Sequence, residues 1–372
     1  MSDTLGIAVI GSSGIIGVRH TNVVDELEST KLVGVFDVNT EVAQGQAAER
    51  SVKWYQDFED VLGDPEVDAV TLCVPNPLHH AMSLQAFKAG KHVLTEKPIA
   101  ATLTQADEMV RTAREAGLTL GVVFNLRFGP EVVRMRRMLD EGELGDLFRT
   151  GMSQTQFRPQ FYYDSAAWRG SWETEGGGVM WTPAIHLIDL YQWLGGMPKS
   201  VRGLASNLMH EIEVEDVASA VLEYDNGAHG LMHLNTIQGL QERRLELHGD
   251  LGSLVMTEDK LIHVTQEVSS SEFIRTGQGM FARPDTRVES VDIEEFRFAH
   301  YDVIDDFARA VLEGREPAIT GEEGIKSLEL ISAVIMSSVT GKAVDLPLDR
   351  QAYDDLVAEL SSRGGLFRAD RS

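Results

Sequence analysis

The 372-residue chain has a single cysteine, Cys73. One thiol cannot close an internal disulfide, which excludes a disulfide-stapled scaffold and points to a reducing compartment, the cytoplasm being the default. No run of 18 apolar residues occurs, so no membrane-spanning helix is expected. Met1-Ser2-Asp3 leads straight into a strand-like segment, without the basic start and apolar stretch of a signal peptide. Positive charge is scarce, with 33 Lys and Arg against 58 Asp and Glu and a formal net charge of −25. Such a chain repels phosphates, so neither nucleic acid nor an anionic membrane is expected as a partner. It does not steer an anionic cofactor from a distance either, so any phosphate site has to be built locally from backbone N–H groups. The acidity reads as a solvated surface, with adaptation to high salt as a second reading. Metal-site spacing is also lacking: the 11 histidines are scattered, and His79-His80 and His229…His233 lack carboxylate and cysteine company. No metal is expected.

What is present is ordinary globular composition, 43% hydrophobic and 24% charged, in a chain long enough for about two domains. Short β-branched runs at 6–10, 31–36, 67–74, 91–95 and 118–123 read as strands buried on both faces. Helix patterns lie between them at 14–28 (Ile15, Val18, Val23, Leu27), 78–89 and 104–116, the last opening at Thr104 as N-cap and closing before Gly117. This alternation predicts βαβ units and a parallel sheet over residues 1–125. From 126 to 372 the texture changes. Helices are expected at 130–141, 183–194, 300–314 and 322–340, and strands at 200–208, 216–224, 228–238, 241–248 and 252–256, several joined by turn signals such as Asp225-Asn226-Gly227. That pattern predicts an α+β domain with a mostly antiparallel sheet. Residues 266–292 read as a polar excursion or irregular strands.

The first strand runs into Gly11-Ser12-Ser13-Gly14-Ile15-Ile16-Gly17 and then a helix. Glycines let backbone approach a pyrophosphate, and the helix N-terminus supplies oriented N–H donors. Taken alone, the turn also fits a plain tight connection. Asp37, 20 residues past Gly17 at the end of the next strand, can bind both ribose hydroxyls of adenosine and repels a 2′-phosphate. With Val38 and Asn39 beside it offering no cation, NAD is expected over NADP. Pro75-Asn76 and Glu96-Lys97-Pro98 end later parallel strands, where open α/β sheets bind ligands. Lys97 precedes a proline and is expected to be held extended, although a lone lysine there also fits a surface position. Further on, Trp168-Arg169-Gly170 precedes Gly176-Gly177-Gly178-Val179-Met180-Trp181-Thr182-Pro183-Ala184-Ile185-His186-Leu187-Ile188-Asp189. Thr182 reads as N-cap and Pro183 as first helical residue. His186 and Asp189 then share a helical face, and Asp189 can fix the tautomer of an imidazole base. A histidine satisfied within an amphipathic helix gives the same pattern.

Together these pieces resemble the Gfo/Idh/MocA family of oxidoreductases. The shared pieces are the glycine turn followed by His20, Pro75-Asn76 with His79, Glu96-Lys97-Pro98, Asn125-Leu126-Arg127-Phe128, the glycine triplet with His186 and Asp189, and Thr340-Gly341-Lys342-Ala343-Val344 before Leu346-Pro347-Leu348. The resemblance spans about residues 5–350. It implies an α/β N-terminal Rossmann domain plus an α+β C-terminal domain with a large, mostly antiparallel sheet, often used to form homodimers or homotetramers. It also implies NAD(P)-dependent hydride transfer to or from a secondary alcohol of a sugar, polyol or sugar acid. Lys97 and His186 then become the catalytic pair, meeting beside the nicotinamide, with His186 as proton acceptor. Cofactor contacts fall to Gly11, Ser12, Ser13, Gly14, Ile15, Ile16, Asp37, Pro75, Asn76, His79, Glu96, Lys97 and Asn125. Substrate contacts fall to Lys97, Arg127, Arg158, Trp168, Arg169, Thr182 and His186. Arginines and aromatics suit a sugar pocket, and Tyr162, Tyr163 and His300-Tyr301 are further candidates there; a loop anchored by its aromatics is the alternative. Two departures stand out. The glycine turn is one residue longer than the commonest family spacing, and Thr182 stands where many polyol dehydrogenases of the family carry Asp. A dihydrodiol or other cyclic-alcohol dehydrogenase, an NAD-dependent glycosidase and a non-catalytic NAD-binding protein are the alternative readings.

Overall fold

A computed structural model describes residues 4–293 and 299–365. The chain forms two compact units. The first runs to Phe128 and takes in a later segment that ends at Leu328; the second holds the chain from Gly129 and again from Glu329. The sequence pattern showed only the boundary near 125, because nothing in the composition of 300–328 marks it as a return to the first unit.

In the first unit, strands β1 (Leu5–Ile10), β2 (Thr30–Phe36), β3 (Lys53–Trp54), β4 (Ala69–Leu72), β5 (His92–Thr95) and β6 (Leu120–Val122) form a six-stranded sheet of order β3-β2-β1-β4-β5-β6. All its pairings are parallel. Every residue of β1 and β4 is buried, as their unbroken apolar runs predict. Helices α1 (Ile15–Glu26), α2 (Thr40–Arg50), α3 (Phe58–Gly63), α4 (Asn76–Lys88) and α5 (Leu103–Ala116) connect the strands. Two local expectations change. The N-cap of α5 is Thr102, whose side chain accepts from Gln105 N, so Thr104 lies inside the helix; its C-cap is Gly117 at φ 68°. In α1 the buried face carries Gly17, His20, Thr21, Val23 and Val24, while Ile15 and Val18 are exposed. A polar imidazole goes inside because partners await it there.

The strand order reverses between β1 and β4, the switch point where doubly wound sheets bind ligands. Gly11 follows β1 at φ 81°, and a Cβ there would sit 2.4 Å from the Cys73 carbonyl oxygen. A Cβ on Gly17 would sit 1.9 Å from the Gly11 oxygen, whereas Gly14 faces open space. The outer glycines therefore serve close packing, and the middle one leaves room.

The second unit is built on a nine-stranded sheet. Its strands are β7 (Leu147–Thr155), β8 (Ser200–Ser206), β9 (Val217–Glu223), β10 (His229–Asn235), β11 (Glu242–Gly249), β12 (Gly252–Met256), β13 (Lys260–Gln266), β14 (Thr286–Asp292) and β15 (Val344–Asp345), in the order β14-β13-β12-β11-β7-β10-β9-β8-β15. The pairing of β7 with β10 is parallel and the others are antiparallel. Thus the expected fold class is found. β7 was not legible because it is polar: Thr150 is buried by hydrogen-bonding Tyr191 and Tyr224 hydroxyls at 2.7 and 3.0 Å. The excursion at 266–292 holds α9 (Ser270–Thr276; α6, α7 and α8 precede it as Pro130–Asp140, Gln160–Asp164 and Ile185–Gly195) and the exposed edge strand β14. Helices α10 (His300–Glu313), α11 (Gly321–Thr340) and α12 (Arg350–Ser362) follow. On the sheet, inward residues of β8 approach the C-terminal part of α11, where Gly203 N donates to Ser337 Oγ at 2.9 Å, and Leu204, Val221 and Leu231 point outward, exposed. Among the described residues no helix is long and apolar enough to cross a membrane.

Candidate active site

In the first unit the glycine turn is fixed from below. Asp37 Oδ2 accepts Ser13 N at 2.8 Å, its Oδ1 accepts Asn39 N at 2.8 Å, and Gln46 Nε2 donates to Ser12 O at 3.0 Å. The Ser12 and Ser13 hydroxyls and Asn76 Nδ2 are buried with no hydrogen-bond partner among the described residues. Buried polar atoms left unpaired cost about 1–3 kcal/mol each. Together with the open space at Gly14 and the N-terminus of α1, they form a cradle that fits a dinucleotide. Ser12 N and Ser13 N are already given to Phe36 O and Asp37 Oδ2, so the residues present would hold it by the N–H groups of Gly14, Ile15 and Ile16 with the Ser12 and Ser13 hydroxyls on the pyrophosphate, Asp37 on the ribose, and Asn76 and Lys97 towards the reactive end.

The next strand ends are braced from within. His79 is fully buried, with Nδ1 2.8 Å from Pro98 O and Nε2 3.0 Å from Val74 O; burial pushes its pKa below the ordinary value against the pull of those carbonyls. This ring ties the Val74-Pro75-Asn76 segment to Lys97-Pro98, with both its nitrogens on main-chain oxygens. Glu96 likewise turns inward. Its Oε1 meets His20 Nε2 at 3.1 Å, Oε2 accepts Lys97 N at 3.2 Å, and His20 Nδ1 lies 2.8 Å from Thr71 Oγ1. Burial works against the carboxylate, but the hydrogen bond and charge of His20, with Lys97 and His300, bring it to about 2. For His20 burial also opposes charge, and Cys73 and Glu96 outweigh it, lifting the imidazole to about 10. The Lys97–Pro98 bond is cis and Lys97 is half-buried.

His20, Glu96 and His300 bring potential ligand atoms within 4.8 Å of one another, a grouping that spacing did not reveal. With both His20 nitrogens at hydrogen-bond distance from Thr71 and Glu96, the group is held by protons. His300 therefore belongs to the first unit, beside Asn125 Nδ2 at 3.3 Å, and the Tyr301 hydroxyl donates to Glu26. Arg127 is corrected too. It is 4% exposed and paired with Glu323 at 2.9 Å, which makes it an internal ion pair and not a substrate contact.

In the second unit Arg158, Tyr162, Trp168 and Arg169 do come together. The Arg169 guanidinium lies 4.1 Å from the Tyr162 ring centre and 4.4 Å from that of Trp168, and Arg158 lies 5.0 Å from Tyr162. The Nε atoms of both arginines are buried with no partner among the described residues. Stacked cations with spare donors can bind hydroxyls or a carboxylate. His186 sits in the first turn of α8, half-buried, and Asp189 is 1% exposed with Oδ1 accepting from Gln192 Nε2 at 3.2 Å. Thr182 is not the cap: α8 begins at Ile185 after Ala184, with no side-chain cap. The Thr182 hydroxyl is instead buried without a partner among the described residues. Sequence reasoning missed Glu215 and Asp216, two fully buried carboxylates. Asp216 accepts the N–H groups of Leu208, Met209 and His210. The adjacent acidic pair after Val214 was the available signal, and only tertiary context distinguishes it from surface charge.

The geometry can be set beside known proteins. Residues 5–124 match the model of the oxidoreductase family with the NAD-binding Rossmann fold, and residues 132–255 match the GFO/IDH/MocA C-terminal domain. The chain is 29% identical over 347 residues to a 1,5-anhydro-D-fructose reductase of Ensifer adhaerens, covering 92% of this chain and 97% of that one. It is 25% identical over 360 residues to the scyllo-inositol 2-dehydrogenase (NADP(+)) IolW of Bacillus subtilis (strain 168), covering 92% and 96%. The crystal structure of the WlbA dehydrogenase from Bordetella pertussis, in complex with NADH and UDP-GlcNAcA, superposes with TM-score 0.78 at 27% identity, covering 93% of this chain and 100% of that one.

Proposed function

The chain belongs to the Gfo/Idh/MocA family of NAD(P)-dependent oxidoreductases, and from that premise we propose that it moves hydride between a nicotinamide cofactor and a secondary alcohol of a sugar, polyol or sugar acid. The observation that carries this is the cradle at the β1/β4 switch point, with Lys97 at the end of the neighbouring strand. The cofactor, when bound, supplies the hydride acceptor or donor. Lys97 donates a hydrogen bond to the substrate oxygen and stabilises its developing charge, and His186 accepts the hydroxyl proton. The stacked Arg158, Tyr162, Trp168 and Arg169 bind the rest of the substrate. NAD is preferred over NADP, because the Asp37 carboxylate would face a 2′-phosphate with no cation beside it.

A second reading, oxidation of a dihydrodiol or other cyclic alcohol, is favoured by Thr182, whose neutral hydroxyl stands where many family polyol dehydrogenases carry a carboxylate. The lone cysteine supports a cytoplasmic location. We also infer a homodimer or homotetramer in which a second copy covers the outward sheet face at Leu204, Val221 and Leu231, and light scattering on the purified protein tests it. The decisive experiment is a reduction screen with NAD and NADP across sugars, inositols, sugar acids and dihydrodiols. Reduction of NAD with a sugar or polyol is the expected result. A clean NAD titration with no turnover on the whole panel refutes the catalytic reading, and turnover without net NADH formation points to the glycosidase chemistry of the same family.

A further inference from the structure

The segment that leads into His186 hangs on one buried side chain. Glu215 is 0% exposed. Its Oε2 accepts Gly178 N at 2.9 Å, its Oε1 accepts Met180 N at 3.2 Å, and its main-chain oxygen accepts Val179 N at 2.9 Å. Three successive N–H groups thus end on one residue. The approach is possible because Gly178 has no side chain: a Cβ there would lie 1.8 Å from the Glu215 carbonyl oxygen. From this anchor the bonds continue. Gly178 O accepts Trp181 N at 3.1 Å, Val179 O accepts Ala184 N at 2.9 Å, and Ala184 O accepts Leu187 N and Ile188 N, each at 3.0 Å. The last two open α8, which has no side-chain cap of its own. The start of the helix that carries His186 is therefore fixed by a turn suspended from Glu215.

We infer that Glu215 is a positioning residue for the reaction: its carboxylate holds the 178–184 turn and, through it, sets where His186 sits. The inference rests on the proposed role of His186 as proton acceptor. An ionised carboxylate offers acceptors on both oxygens, whereas a protonated one turns one oxygen into a donor that faces an N–H. Glu215 is poised for that change, since burial, helped by the charge of Glu175 and resisted by the N–H bonds it accepts, raises it to about 7. The titratable groups around it are Glu175, which is 1% exposed and accepts Gly170 N at 2.7 Å, and the phenols of Tyr163 and Tyr353, both of which feel its charge. Neither phenol ionises near neutrality, because burial raises both. As pH falls through about 7 the latch loosens and His186 loses its fixed place.

The test compares Glu215→Gln, Glu215→Asp and His186→Ala in the full-length protein. Glu215→Gln keeps the shape but puts an N–H donor against a backbone N–H. It should lower kcat tenfold or more while leaving NADH affinity within twofold. The acid limb of the kcat–pH profile should become shallower by one proton, and Glu215→Asp should restore that limb. Wild-type kcat with an unchanged limb in folded Glu215→Gln overturns the inference. His186→Ala is read separately: near-normal turnover there refutes the base assignment, whatever Glu215 does. Hydrogen exchange on the wild-type protein needs no variant. Protection of residues 178–184, corrected for intrinsic rates, should fall between pH 8 and pH 6, and equal protection at both overturns the inference.

Discussion

Replacing His20 by alanine removes one half of an ion pair sealed inside the first unit. His20 is 0% and Glu96 8% exposed, with 3.1 Å between Nε2 and Oε1. The carboxyl falls from 4.5 to about 2, a difference worth about 3 kcal/mol. The imidazole rises from 6.5 to about 10, worth about 5 kcal/mol on the same conversion. Both figures contain the same attraction and cannot be added. Removal of His20 should therefore cost about 3–5 kcal/mol, the usual range for breaking a buried pair. The pH dependence has a definite sign. The contribution of Glu96 is present above pH 4.5 and is lost as pH falls towards about 2. That of His20 is complete below pH 6.5 and is lost as pH rises through about 10. The pair is thus worth most between pH 4.5 and 6.5. Calorimetry of wild type and His20→Ala at pH 6 and pH 9.5 should show a drop of roughly 10 °C in the first unit's transition at pH 6 and a smaller gap at pH 9.5. Equal transition temperatures at pH 6 would show that Glu96 is satisfied without the imidazole and would refute the reasoning.

Lys97→Ala and His186→Ala should each lower turnover by roughly 10²–10⁴-fold, the usual size of general acid–base help, with modest loss of NADH binding by fluorescence titration; near-normal turnover in either removes its assigned role. Asp37→Ser takes away the acceptor for Ser13 N and Asn39 N together with the negative charge, so the KM for NAD should rise tenfold or more and discrimination against NADP should shrink in steady-state assays. Arg169→Ala removes the donors proposed to bind substrate hydroxyls or a carboxylate, a charge-assisted contact worth about 1.5–3 kcal/mol, so substrate KM should rise roughly tenfold or more with kcat little changed; a fall in kcat at constant KM would move Arg169 out of substrate binding.

The first unit was largely legible because its signals are local. Short β-branched runs such as Ile7–Ile10, recurring between helix patterns, mark strands buried on both faces, and the glycine turn gains meaning from the strand before it and the helix after it. What escaped was the inner wiring. His79 read as a cofactor contact and His20 only as a motif position, yet the fold spends both ring nitrogens of each on Thr71, Glu96, Val74 and Pro98. Arg127 shows the same failure. A guanidinium in a motif looks available until α11 brings Glu323 to it. Spacing along the chain says which residues gather, but not which of them are already satisfied by one another.

In the second unit the hidden features are polar groups paired over long separations. Thr182-Pro183 has the local chemistry of a helix start, and an isolated peptide would gain from it. The chain instead opens α8 two residues later, because Gly178, Val179 and Met180 all donate to Glu215. Three bonds to one residue, two of them to its carboxylate oxygens and one to its main-chain oxygen, outweigh a single cap of about 1 kcal/mol. The glycine triplet follows the same logic. Gly178 keeps an ordinary negative-φ backbone and is required by distance, since the Glu215 carbonyl occupies the place of its Cβ. Gly178→Ala should therefore be as damaging to His186 placement as loss of the Glu215 side chain, although it leaves every titratable group intact. Turnover lost in Gly178→Ala with NADH affinity kept would tie the defect to the suspended turn, and wild-type turnover in that variant would mean that His186 is positioned by something else.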